Sequence, residues 1–148
     1  MVSKGAIGAI VGLAVMAVLF VAGCGGGSDE TVTKTDFVRQ GNTVCGKWQQ
    51  ARGRIFREQG QKFKPPITQA KQEKVILTVL QPYETALQGL KELDPPKGEE
   101  EKVEAIIEAI EDGVNQAKAN PGTLISSDAP FSKSNKLAEA YGLKECKV

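Results

Sequence analysis

Residues 34–148 predict an all-α fold, an antiparallel bundle of about four helices. Three observations carry this reading. Apolar residues recur at intervals of three and four. Prolines and glycines cut that pattern into four stretches. Strand-type alternation and internal repeats are absent. Each stretch alone would leave an apolar stripe in water, and short connections let neighbouring stretches fold back and bury it.

Residues 24–33 read as a flexible tether, and Thr33 with Asp36 resembles a capping box that opens the first helix. Phe37, Val44, Cys45, Trp48, Ala51, Ile55 and Phe56 form its apolar stripe. Gly41, Gly46 and Gly53 oppose it by up to ~1 kcal/mol each relative to alanine. Gly60 and Pro65-Pro66 end it. The second helix runs from about Pro66 to Leu93, with Ala70, Leu77, Leu80, Tyr83, Leu87 and Leu90 on one face and Val75, Ile76 and Val79 widening it. Pro82 removes one hydrogen bond and predicts a kink or short break near Val79–Gln81. Asp94 is expected to cap the third helix, with Pro95 at its first position. Val103, Ile106, Ile107, Ile110, Val114 and Ala117 give the cleanest stripe in the chain. Asn120-Pro121-Gly122 stops it. Ser127 or Asp128 caps a fourth helix bearing Phe131, Leu137, Ala138 and Tyr141. Gly142 suits its left-handed end, and Leu143 the apolar contact that accompanies it.

The first 23 residues belong to a different kind of segment. Lys4 is the only charge before Asp29, and the 19 residues from Gly5 to Gly23 are apolar or glycine. As a helix they would span ~28 Å, enough to cross a hydrocarbon core. The run ends in Val21-Ala22-Gly23-Cys24, which resembles a bacterial lipobox: a branched apolar residue, two small residues and a cysteine. The resemblance implies a signal peptide over 1–23, cleavage before Cys24 rather than a permanent membrane helix, and two or three acyl chains on the new terminus. At ~0.8 kcal/mol per buried CH₂, more than one chain gives durable attachment. Gly25-Gly26-Gly27-Ser28 then begins the tether.

Cys45 and Cys146 remain. In an exported domain two such thiols are expected to pair rather than stay free and buried. The pairing fits the bundle, which returns the end of the fourth helix to the start of the first. The expected fold is thus an all-α bundle cross-linked by one disulfide near the chain ends.

Several chemistries are excluded or disfavoured. The chain has no histidine, which removes the commonest general base and neutral metal ligand and any Ser-His-Asp or Cys-His device. Gly25-Gly26-Gly27 precedes no strand and is not a phosphate loop. The glutamates at 99–101, 104, 108 and 111 lack cation-loop spacing and read as a solvated helix face. Trp48 lies on the apolar stripe, which assigns it to the core rather than to stacking a sugar or ring; Tyr83 and Tyr141 read likewise. Residues 34–74 carry ten basic and three acidic residues, and residues 84–112 ten acidic and three basic. A basic pair of helices facing an acidic one accounts for this, and an exported domain without interleaved aromatics offers no nucleic-acid footprint.

The segment Asp36-Phe37-Val38-Arg39-Gln40-Gly41-Asn42-Thr43-Val44-Cys45 opens the domain, and Ala138-Glu139-Ala140-Tyr141-Gly142-Leu143-Lys144-Glu145-Cys146 closes it. With the lipobox, these resemble the small helical lipoproteins of actinobacteria. The resemblance spans residues 24–148 and implies a location, a disulfide and a helical fold. It supplies no catalytic residues and no cofactor.

The expectation is therefore a non-enzymatic protein on the outer face of a bacterial membrane, held by lipid on Cys24, with a binding, scaffolding or accessory role. The alternative is a solute-binding or carrier lipoprotein with an apolar cavity between helices. A tether of about nine residues keeps the domain close to the bilayer. Any partner would then meet the far tip, around residues 57–66 and 120–127. Arg57, Lys62, Phe63 and Lys64 are the candidate contacts there for an anionic envelope polymer or an envelope protein.

Overall fold

The computed structural model of the chain describes residues 31–60 and 68–148. The 1–23 leader, Cys24, most of the tether, Lys62, Phe63, Lys64 and the Pro65-Pro66 stop lie outside them. Five α-helices follow in order: α1 (Lys34–Gly60), α2 (Gln69–Lys91), α3 (Glu100–Ala119), α4 (Thr123–Ser126) and α5 (Ser132–Tyr141). Short 3-10 turns occupy Ala129–Phe131 and Lys144–Cys146. The described residues contain no strand. α1 packs on α2, α2 on α3, and α3 on α5, while the last 3-10 turn returns to α1. This is the expected all-α antiparallel bundle, closed near its ends by a Cys45–Cys146 disulfide.

The start of α1 is set by Thr33. Its Oγ1 accepts the Asp36 N–H at 3.1 Å and donates to Asp36 Oδ2 at 2.7 Å. The Asp36 carboxylate thus accepts from the Thr33 hydroxyl, and this contact, with Arg39, holds its pKa below the ordinary range. Val32 already packs against the core, so the ordered domain takes in the last residues of the segment read as tether.

Three sequence expectations are corrected. α2 runs unbroken through Pro82. Proline costs one backbone bond, but buried residues from Val75 to Leu90 hold both halves of the helix in the core. α3 begins at Glu100, not after Asp94. Pro96 disfavours helical geometry at Pro95, and the chain turns instead, with Gly98 at φ 81° and the Glu99 N–H on the Pro96 carbonyl at 2.9 Å. Three residues assigned to apolar stripes are exposed: Ala70 in the first turn of α2, Phe56 at 44% and Leu77 at 42%. The buried face of α2 centres on Val79, Tyr83, Ala86 and Leu90, and Leu77 points away from it. Phe56 lies in the last turns of α1, a helix of 27 residues that outruns α5, which has ten.

A further expectation is corrected at the start of α5. The helix begins at Ser132, after the 3-10 turn, with Phe131 at its N-cap position and no side-chain cap. Ser127 Oγ accepts the Ala129 N–H at 3.0 Å and Asp128 precedes the turn, so both act ahead of the helix rather than at its cap. At the other end Gly142 adopts φ 107°, and the Gly142 and Leu143 N–H groups both reach the Ala138 carbonyl. Leu143 is 1% exposed.

The core is built around Trp48, Tyr83, Phe37 and Phe131. Tyr83 lies between Trp48, at 4.5 Å between centroids, and Phe131, at 5.3 Å edge-on. Close approach depends on small residues. A Cβ on Gly41 would stand 2.5 Å from Leu143 Cδ2, and one on Gly113 2.6 Å from Phe131 Cδ1. Gly41, which opposes the helix by propensity, thus admits the C-terminal segment against α1.

Candidate functional site

The two cysteines that the sequence pairs are 101 positions apart and meet with Cα atoms 4.9 Å apart, at 0% and 1% exposure. They anchor a clamp on the C-terminal segment. Asn42 Nδ2 donates to the Gly142 carbonyl at 2.9 Å, and its Oδ1 accepts the Glu145 N–H at 3.0 Å. Gln49 Nε2 donates to the Glu145 and Lys147 carbonyls. The Tyr83 hydroxyl donates to the Cys146 carbonyl at 2.9 Å. Burial pushes the Tyr83 pKa upward, so the phenol stays a donor. Asn135 closes the end by pairing with both backbone groups of Val148.

At the start of α1 a polar cluster joins three elements. Glu99 pairs with Lys102 at 3.0 Å and Lys34 at 3.6 Å. Lys34 Nζ also sits 4.3 Å from the centroid of the Tyr141 ring. Glu99 Oε2 and the Tyr141 hydroxyl are both shielded from water, and neither meets full hydrogen-bond geometry. The hydroxyl still holds the Glu99 carboxyl below the ordinary range, ahead of Lys102 and Lys34. Burial, then Glu99, raises Tyr141. Across the next interface, Lys91–Glu111 at 2.7 Å and Lys118–Glu84 at 2.8 Å tie α2 to α3. Such exposed pairs contribute about 0–1 kcal/mol each.

Arg57 lies exposed near the end of α1. It shares the outer face of that helix with Lys47 and Arg54, and together with Gln49, Gln50 and Gly53 they line a shallow groove to which no carboxylate among the described residues contributes. Lys62, Phe63 and Lys64, its expected companions, fall outside the described residues.

A cavity of about 160 Å³ lies between α1, α2 and α4. Among the described residues, the groove between α1 and α2 is covered there by α4, the residues after it and Val148. Trp48, Arg52 and Phe56, four residues apart on α1, form one wall. Ile76, Val79, Leu80 and Tyr83 of α2 form the second, and Leu124, Ser127, Asp128 and Val148 complete it. The Arg52 guanidinium lies 5.5 Å from the Trp48 ring centroid and 5.6 Å from that of Phe56. Trp48 is 2% exposed, a core residue as its stripe indicates. Its Nε1–H nevertheless has no acceptor among the described residues. A buried donor left so costs about 1–3 kcal/mol. Sequence reading missed Arg52 as a member of this wall. The four-residue spacing of an arginine between two aromatics was the available signal.

Among the described residues no group of three or more His, Cys, Asp or Glu could hold a metal ion, and no helix is long and apolar enough to cross a membrane. No protein-family model, curated protein or solved structure matches the chain.

Proposed function

We propose that the chain is exported, cut before Cys24 and held by lipid on that residue at the outer face of a bacterial membrane. There residues 34–148 act as a non-enzymatic binding, scaffolding or accessory module. The observation that carries this reading is the buried Cys45–Cys146 disulfide, downstream of an apolar leader that ends in Val21-Ala22-Gly23-Cys24. Disulfides persist in oxidising compartments, and a domain this small gains stability from one. The lipobox accounts for how an exported domain stays at the surface. The basic outer face of α1, with Lys47, Arg54 and Arg57, supports an anionic envelope polymer as partner, and the charge pattern extends to Lys62 and Lys64 in the sequence.

The test is cell fractionation of wild type against Cys24→Ala. Wild type is expected in the membrane fraction as a processed chain, and the variant as an unprocessed precursor. Identical processing and partitioning of the two would overturn the assignment of Cys24.

A second reading, a carrier of a small solute, is favoured by the cavity beside Trp48. Its volume excludes a long acyl chain and suits a single ring.

A further inference from the structure

We propose that the cavity between α1, α2 and α4 is a binding site for a ring-sized carboxylate, with the ring against α2 and the carboxylate taken by Arg52. The volume sets the size of the ligand. About 160 Å³ is comparable to an engineered protein cavity of ~150 Å³ that holds one benzene. The walls set its body: Ile76, Val79, Leu80 and Leu124 offer only carbon to it.

Arg52 sets the polar end and supplies the charge. It makes no ion pair among the described residues, and its guanidinium lies between the rings of Trp48 and Phe56. Stacking there fixes the plane of the guanidinium, and a planar fork already in place loses little freedom on meeting a carboxylate. Asp128 also lies on the lining. It disfavours an anion on its own side, which confines the carboxylate to the α1 wall. The proposal does not depend on how or where the chain is anchored.

The chain has one tryptophan, so a single indole N–H resonance reports on the site. The experiment titrates the purified full chain in detergent with benzoate, benzylamine and propionate, reading that resonance. Benzoate should shift it saturably, with half-saturation at or below about 1 mM. Benzylamine keeps the ring but offers no anionic acceptor, and propionate keeps the carboxylate but not the ring; each should bind at least about tenfold more weakly. Arg52→Gln should weaken benzoate about tenfold, the loss expected for one charge-assisted contact. Ile76→Phe, at a half-buried position on the wall, should abolish the shift by filling the space. Absence of a saturable shift in the wild type overturns the proposal without any variant having to fold. Preference for benzylamine overturns it too, because Asp128 would then set the polarity. Unchanged benzoate affinity in Arg52→Gln removes the guanidinium from the site.

Discussion

Removing the Cys45–Cys146 bond is the perturbation whose size follows most directly from the fold. The two residues are 101 apart in sequence, so the bond closes a loop spanning nearly the whole described domain. In the chain-entropy account a loop of that length restricts the unfolded chain by as much as ~4.7 kcal/mol, and ~2–4 kcal/mol is the usual yield. Both sulfurs are buried, so serine would add buried hydroxyls with their own penalty, and Cys45→Ala/Cys146→Ala is the cleaner variant. The clamp formed by Asn42, Gln49 and Tyr83 on residues 142–147 survives that change, and the variant should fold. Against a total of ~5–15 kcal/mol, the loss is a large share. At about 4 °C per kcal/mol for a domain of this size, Tm should fall by roughly 8–16 °C. The assay is thermal unfolding of both proteins by circular dichroism without reductant. Reductant should lower the wild-type midpoint toward that of the variant and leave the variant unmoved. A variant melting within about 1 °C of wild type would refute the loop-closure reasoning.

Glycine substitutions should give opposite signs at two positions. Gly46→Ala meets nothing within 4 Å and should stabilise α1 by up to ~1 kcal/mol. In Gly113→Ala the new Cβ would stand 2.6 Å from Phe131 Cδ1 and 2.8 Å from the Pro130 carbonyl oxygen, and a net loss of about 1–2 kcal/mol is expected; urea midpoints of equal sign would contradict the packing. Glu99 has a folded-state pKa below its ordinary 4.5. Its contribution is therefore present above that value and lost as pH falls through the lower, folded-state one. Wild-type stability should drop more steeply than that of Glu99→Gln between about pH 6 and about pH 3, and parallel curves would clear Glu99 of the effect. For the anionic partner, Lys62→Glu/Lys64→Glu should reduce retention of purified envelope polymers at low salt. Added salt should reduce wild-type retention as well, because screening lengths are ~8–10 Å near physiological ionic strength; equal retention of both forms would rule out this tip.

Much of the bundle was legible in the sequence because burial imposes a period. The α3 stripe from Val103 to Ala117 and the left-handed end at Gly142 follow from local rules and are met. The departures have local causes as well. Pro82 suggests a break only when the packing on both sides is ignored. Asp94 satisfies the cap preference, but the second proline and Gly98 turn the chain before a helix can start. Leu77 and Phe56 fit the helical stripes and still face outward, since stripes do not say which edge meets a neighbour. The cavity could not be read from local rules. It lies between residues of α1, α2 and α4 and the segment just after it, a juxtaposition visible only once the helices are assembled.

The domain's construction gives the proposed location its physical sense. A chain of balanced charge is closed on itself by a buried disulfide and an amide clamp, leaving the N-terminal end of α1 as its link to the tether. The anchor at Cys24 is the central claim. Intact mass of the protein extracted from membranes tests it most directly. The account predicts a chain that begins at Cys24 and carries the added mass of a diacylglyceryl group. A mass that still includes residues 1–23, with no lipid on Cys24, would contradict it.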